Sequence, residues 1–209
     1  MLKTIFAPGL DQFPGSKQYW EKRYIAGETS GDGSCGQLGA FKAEILNAFV
    51  KQNDIHSIIE FRCDDGHQLS LAEYPKYIGL DVSRKAMELC RERFRDDRSE
   101  SFFLYDPEAF ADQHGIFTAE PALSLDVIFH LVEDHIYQLH MQHLFAAAER
   151  YVTVYSSNVD RRQTAHERHR QFSTWVDTNM MGWTLQEKIP SKFPYDEKSG
   201  AGSLSDVFI

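Results

Sequence analysis

Two apolar runs each carry an acid, Glu60 and Asp81, 21 residues apart: the first run ends in a tight loop and the second ends in its acid. Ile58-Ile59-Glu60-Phe61 runs into Arg62-Cys63-Asp64-Asp65-Gly66, and Tyr77-Ile78-Gly79-Leu80 ends in Asp81 and Val82. Strand, tight loop, helix-length spacer, strand and acid make a β-α-β unit. Its first loop approaches the ligand, and an acid about 20 residues further on takes ribose hydroxyls. Asp81 is therefore a candidate ribose ligand; its other reading is a turn acid before a helix capped by Ser83. A loop that must approach a ligand favours glycine, because a Cβ would collide with it. Of the three positions in a G-x-G-x-G frame, Gly66 keeps one, and Arg62 and Asp64 occupy the others.

Other residues could share in chemistry at the same edge of a sheet. Asp106 follows the run Ser101–Tyr105, either beside a base edge or as a loop acid before Pro107. Asp126 and His130 lie on the run Leu123–His130, read as a fourth strand whose carboxyl end faces the cleft. His130 suits a general base by its ordinary pKa near neutrality, or it is a satisfied structural histidine. His130, Glu133, Asp134 and His135, with His140 and His143 beyond, lack the spacing of a metal site, and no metal is expected. Tyr19, Trp20, Tyr24 and Phe41 could face a ligand cation or simply pack a lid. The basic stretch from Asp160 to Arg170 could hold an anion; otherwise it is a solvated helix face on which Glu167 balances Arg170.

The elements that position these residues follow from periodicity. A short aromatic helix spans Lys17–Tyr24, and the glycine-rich loop 27–36 follows as a candidate hinge. Phe41, Ile45, Leu46, Phe49 and Val50 share one helical face. Strands at 57–61, 77–81, 101–105, 123–130 and 151–156 alternate with helices from Ser83 to about Arg95 and from Ile136 to Glu149. A polar helical excursion covers 163–179, and Trp183–Ile189 and Leu204–Ile209 close the chain as a candidate antiparallel edge hairpin. The alternation argues for a mostly parallel sheet covered on both faces.

Length and charge narrow the functions. With 209 residues there is room for one α/β domain and little more. A net charge of −9 gives nucleic-acid binding no electrostatic support. Three cysteines without a C-x-x-C pair suggest neither a disulfide framework nor structural zinc. No run reaches the length of a membrane span, and the opening Met1–Gly9 is too short for a signal peptide, so a cytoplasmic setting is expected.

Taken together, these motifs resemble those of class I S-adenosylmethionine-dependent methyltransferases, from about Tyr19 to Ile209. The resemblance rests on Ile58–Gly66, Asp81, Tyr105-Asp106, and the run Ser124–Asp134. The segment Tyr19-Trp20-Glu21-Lys22-Arg23-Tyr24 and the later Phe41-Lys42-Ala43-Glu44 are similar to the lid of a bacterial small-molecule and glycan subgroup. It implies an α/β fold with a single Rossmann-like seven-stranded sheet in the order 3-2-1-4-5-7-6, mostly parallel with an antiparallel edge hairpin. Residues 1–38 would be an N-terminal helix and lid segment, and 39–209 the Rossmann-like domain. It also implies S-adenosylmethionine as cofactor, held by Glu60, Arg62, Cys63, Asp64, Gly66, Asp81, Val82, Asp106 and Tyr24, with His130 and Asp126 as catalytic residues. The expected reaction is methyl transfer to an oxygen or nitrogen of a small acceptor, anionic or a saccharide. Arg62 and Asp64 depart from the family's glycines and open a second reading, a methyltransferase-like binding or scaffold protein that does not turn over.

Overall fold

The computed structural model of the protein describes residues 13–162 and 164–209; the opening Met1–Gly9 and Gln163 lie outside them. One seven-stranded sheet organises the chain. Its strands are β1 (Ile58–Phe61), β2 (Tyr77–Asp81), β3 (Glu100–Leu104), β4 (Ala119–Leu125), β5 (Ala148–Ser156), β8 (Lys188–Ile189) and β9 (Asp206–Phe208). Two-residue strands β6 (Arg161–Arg162) and β7 (Arg168–His169) pair separately. The sheet order is β3-β2-β1-β4-β5-β9-β8. The first five strands are parallel, and β9 runs antiparallel to both β5 and β8. Counted along the sheet alone, this is the order the resemblance implies.

The central strands are buried on both faces, which explains their continuous apolar runs: every residue of β1 is buried. Helices α1 (Ser16–Ile25), α2 (Gly36–Gln52) and α3 (Arg84–Arg93) lie on one face; α4 (Asp134–Ala147) and α5 (Phe172–Asn179) lie on the other. The anticipated stripe of α2 does bury Phe41, Leu46, Phe49 and Val50. Trp20 and Tyr24 of α1 join the same core, at 4 % and 1 % exposure, so the helix is seated on the sheet domain. Ser83 caps α3 by accepting from the Ala86 N–H at 3.0 Å.

Three segments differ from the sequence reading. The fourth strand covers 119–125, not 123–130. The apolar run continues to Leu131, but Asp126 adopts a left-handed φ of 60°, which ends the strand. Val127 and Ile128 remain buried in a turn and a single 3-10 turn that carries His130. The polar excursion is a β6–β7 hairpin followed by the short α5, not one helix. The closing strands are two and three residues long.

Candidate functional site

The carboxyl ends of β1, β2, β3 and β4 meet at one edge of the sheet, where open α/β folds bind ligands. The loop after β1 turns back over β2: the Arg62 and Cys63 N–H groups both donate to the Leu80 carbonyl, at 2.6 and 3.1 Å. Arg62 and Asp64 have φ of 71° and 54°, and Gly66 has 73°. All three glycine-type positions of the frame are therefore left-handed, and two carry side chains that disfavour this region by about 1–2 kcal/mol each. The backbone of a glycine loop persists without its glycines. At Gly66 a Cβ would meet the Phe94 ring at 2.7 Å, so this position must be glycine.

Arg62 defines the site. Its side chain turns inward, is only 3 % exposed, and sets its guanidinium carbon 4.8 Å from the centre of the Trp20 ring on α1. It lines two cavities, one on either side. The first, of about 210 Å³, is walled by Val82, Tyr105, Asp106, Leu131, Ile136 and His140. The second, of about 330 Å³, is walled by Tyr19, Trp20, Asp64, Asp126, Phe129 and His130, among others. Arg62 is thus the residue that the two cavities share. Helix α1 covers it: Ser16 Oγ donates to the Glu133 carboxylate at 2.6 Å, and Lys17 pairs with Asp106 at 2.7 Å. That pairing holds the Asp106 carboxyl below its ordinary pKa.

Asp81 stands at the carboxyl end of β2, as read, but its carboxylate does not face the cleft. It is fully buried and accepts from the Ser83 N–H at 2.8 Å and the Asp64 N–H at 3.2 Å. In this conformation it ties the loop to the start of α3, and neither cavity is lined by it. Burial raises its pKa, against the opposing effect of Arg62. Asp64 is half-buried in the second cavity, its pKa pushed up to about 8 by burial, with Arg62 again opposing. Tyr24 lies beneath it, at 1 % exposure, with no hydrogen bond to its hydroxyl among the described residues. Cys63 is buried under the loop with its sulfur against Gly79. Glu60 is a foundation and not a wall: it accepts from the Tyr77 hydroxyl at 2.6 Å, and burial pushes its pKa up to about 7.

The Glu60 shift has a sign that can be tested. Between its ordinary value and about 7 the folded state holds a proton that the unfolded state has released, so stability falls as pH rises. His130, half-buried, and His140, fully buried, are pulled down to about 3 and act mainly below their ordinary pKa of 6.5. Above that, the carboxyls govern. The melting temperature is expected to fall from pH 6.5 to 8.5, Glu60 contributing about 1 kcal/mol, or roughly 2–4 °C in a domain of this size. Glu60→Gln should remove that share; an unchanged slope in calorimetric melts would refute the assignment.

The second cavity holds both residues expected to be catalytic. His130 rests edge-on to Trp20 at 4.9 Å, and its Nδ1 lies 3.3 Å from the His166 carbonyl. Its pKa of about 3, lowered first by burial and then by Arg62, makes it a weak proton acceptor at neutral pH. Asp126 is the better-placed group. One oxygen pairs with Lys42 at 2.5 Å; the other makes no hydrogen bond among the described residues. Lys42, on α2, is 1 % exposed and lies over the Tyr155 ring. Its role escaped the sequence reading because a lysine within an amphipathic stripe looks like a solvated residue. Gly33 is the other residue missed: its backbone lies so close that a Cβ would sit 2.9 Å from the Asp126 carboxylate.

Arg168 and Arg170 of the basic stretch are structural. Arg170 donates to the Leu131 and Val132 carbonyls at 2.7 and 3.2 Å and pairs with Asp134, as does Arg168. Asp134, not Glu167, balances them. Arg170→Ala should cost about 1.5–3 kcal/mol, the scale of hydrogen bonds to a charged group. Faster amide exchange across 161–170 would accompany the loss; unaltered exchange would show that the hairpin is held otherwise. Phe41 packs against Phe193 away from the cleft. Of the histidines considered for a metal, His140 bonds Ser124 at 2.9 Å and His143 bonds Tyr105 at 2.7 Å.

With this geometry the chain has the class I methyltransferase fold. It is similar to the N-methyltransferase NodS from Bradyrhizobium japonicum WM9, solved with S-adenosyl-L-homocysteine, with a TM-score of 0.69 at 11 % identity over 93 % of this chain and 96 % of that one. It is similar to magnesium protoporphyrin IX methyltransferase ChlM from Synechocystis PCC 6803, solved with bound SAM (0.63, 13 %, 97 % and 98 %). The methyltransferase domain of bacterial CtHen1-C matches with 0.63 at 20 % identity over 82 % of this chain and 98 % of that one. No family model and no curated protein sequence matches the chain. Among the described residues, no helix is long and apolar enough to cross a membrane.

Proposed function

We propose that this chain is built for S-adenosylmethionine-dependent methyl transfer to an oxygen or nitrogen of a small acceptor, and that Arg62 restricts its cofactor site. The observation that carries this reading is the pair of cavities near the carboxyl ends of the parallel strands, both bordered by Arg62. The first, with Val82, Tyr105, Asp106 and Leu131, suits the nucleoside end of the cofactor. The second suits the acceptor, with Asp126 as the group able to orient a hydroxyl or amine. The activated methyl belongs to the cofactor; the protein contributes alignment and exclusion of water.

The residues as they stand fit the whole cofactor poorly. Arg62 fills the middle of the groove, and the Asp81 carboxylate is spent on backbone N–H groups. These observations favour a second reading, a binding protein of this fold that does not turn over. A cytoplasmic setting belongs to the proposal and is supported by Cys35, Cys63 and Cys90, all free thiols. The test is a melt with and without S-adenosylhomocysteine, on the chain as given and on Arg62→Gly/Asp64→Gly. A ligand at 100 times its Kd stabilises by about 2.7 kcal/mol. Stabilisation of the double variant, with methyl transfer from labelled cofactor to a pool of small metabolites, would establish the enzyme reading. Stabilisation without transfer favours the binding protein, and no stabilisation of either form removes the cofactor from the account.

A further inference from the structure

A buried guanidinium needs acceptors. Arg62 carries five N–H donors at 3 % exposure, yet none of its side-chain nitrogens makes a hydrogen bond or ion pair with a described residue. Its Nε is buried without a partner, and the side chain borders both cavities. Its guanidinium lies against the Trp20 ring. A cation in this position ordinarily demands an anion, because an unpaired buried charge is strongly disfavoured.

The surroundings leave that demand unmet. The charged and titratable groups facing Arg62 are Tyr24 on α1, Asp64 in the loop, Asp81 at the end of β2, His130 after β4 and His140 on α4. Asp81 is committed to two backbone N–H groups. Burial favours the protonated forms of Asp64 and Asp81 and the neutral forms of His130 and His140. Farther along the second cavity, Asp126 is neutralised by Lys42.

We propose that Arg62 turns the waist of this groove into a binding site for a small organic oxyanion, a carboxylate or a phosphate monoester, seated in the second cavity. The guanidinium presents paired N–H groups to two oxygens of the anion, a geometry that both oxyanions share. Trp20 and Phe129 supply apolar contact for the organic part. This inference stands apart from the methyl-transfer reading, since it requires no cofactor. It gives Arg62 opposite effects on two ligands, excluding the nucleoside cofactor and retaining the anion.

The experiment uses the full chain with benzoate and phenyl phosphate as probes, titrated by isothermal calorimetry and by the side-chain Nε–H signal of Arg62 in NMR. Saturable binding that shifts this signal is expected for at least one probe, and the stronger of the two identifies the class. Arg62→Met should weaken it at least tenfold, and Arg62→Lys less, because a lysine keeps the charge without the fork. Arg62→Gly should lose the probe while gaining S-adenosylhomocysteine; a folding defect would lower both. Melts on each variant check folding, and Arg62→Lys keeps the test decisive where Arg62→Met does not fold. Equal affinity in Arg62→Met, or no Arg62 shift with either probe at tens of millimolar, overturns the proposal. Failure of S-adenosylhomocysteine to bind any variant leaves the anion result standing and counts against the methyl-transfer reading alone.

Discussion

Replacing Arg62 and Asp64 together by glycine is expected to tighten S-adenosylhomocysteine binding by tenfold to a thousandfold. The double change removes the side chain that divides the groove and deletes a carboxyl from a site that must accept the ligand's own carboxylate. Above about pH 8, where Asp64 ionises, two like charges about 4 Å apart add on the order of 1–4 kcal/mol, which is one to three decades of affinity. The backbone needs no rearrangement, since both residues already have left-handed φ. Glycine at 62 and 64 costs unfolded-state entropy, but it also relieves the strain of two left-handed side-chain-bearing residues. Against this, Asp81 loses the nearby positive charge of Arg62. The variant should therefore melt within a few degrees of the parent. Calorimetric titration of both forms decides the matter: tight binding by the parent and its loss in the double variant would make Arg62 a ligand and not an obstruction.

Asp126→Ala is expected to be the most destabilising single change at the site, at about 3–5 kcal/mol, because it strands Lys42 unpaired in the core. In a domain of this size that is on the order of 10 °C. Alanine also tolerates the left-handed φ of this position less well than aspartate does. Lys42→Met should cost markedly less, since methionine fills the buried channel and the Asp126 side chain, 14 % exposed, reaches the cavity. The double variant Lys42→Met/Asp126→Ala should then be more stable than Asp126→Ala alone, the signature of a coupled pair. Denaturant melts on the three proteins check this; additive losses would show that the two residues act independently.

The parallel core of this fold was legible because β1 and β2 are short, apolar and separated by a helix-length spacer. The end of β4 was not legible. Val127, Ile128 and Leu131 extend the apolar run, and only the local conformation of Asp126 shows that the strand has stopped. The β6–β7 hairpin was hidden by polarity: its stability comes from Arg168 and Arg170 reaching across to Asp134 and two carbonyls, a long-range arrangement that no local pattern encodes. At the site, sequence located the loop and its departures from glycine. It could not show that Asp81 bonds inward, that Arg62 lies against Trp20, or that Lys42 pairs with Asp126, because each depends on where a second element docks.

We propose that the cavities bordered by Arg62 take a nucleoside cofactor once that side chain is removed. The most direct measurement is a crystal structure of Arg62→Gly/Asp64→Gly grown with S-adenosylhomocysteine. The account predicts one continuous groove, with the base between Val82 and Leu131, the ribose beside a reoriented Asp81, and the amino-acid end crossing the space vacated by Arg62. A ligand bound elsewhere, or a fully opened groove that stays empty at saturating ligand, would contradict it.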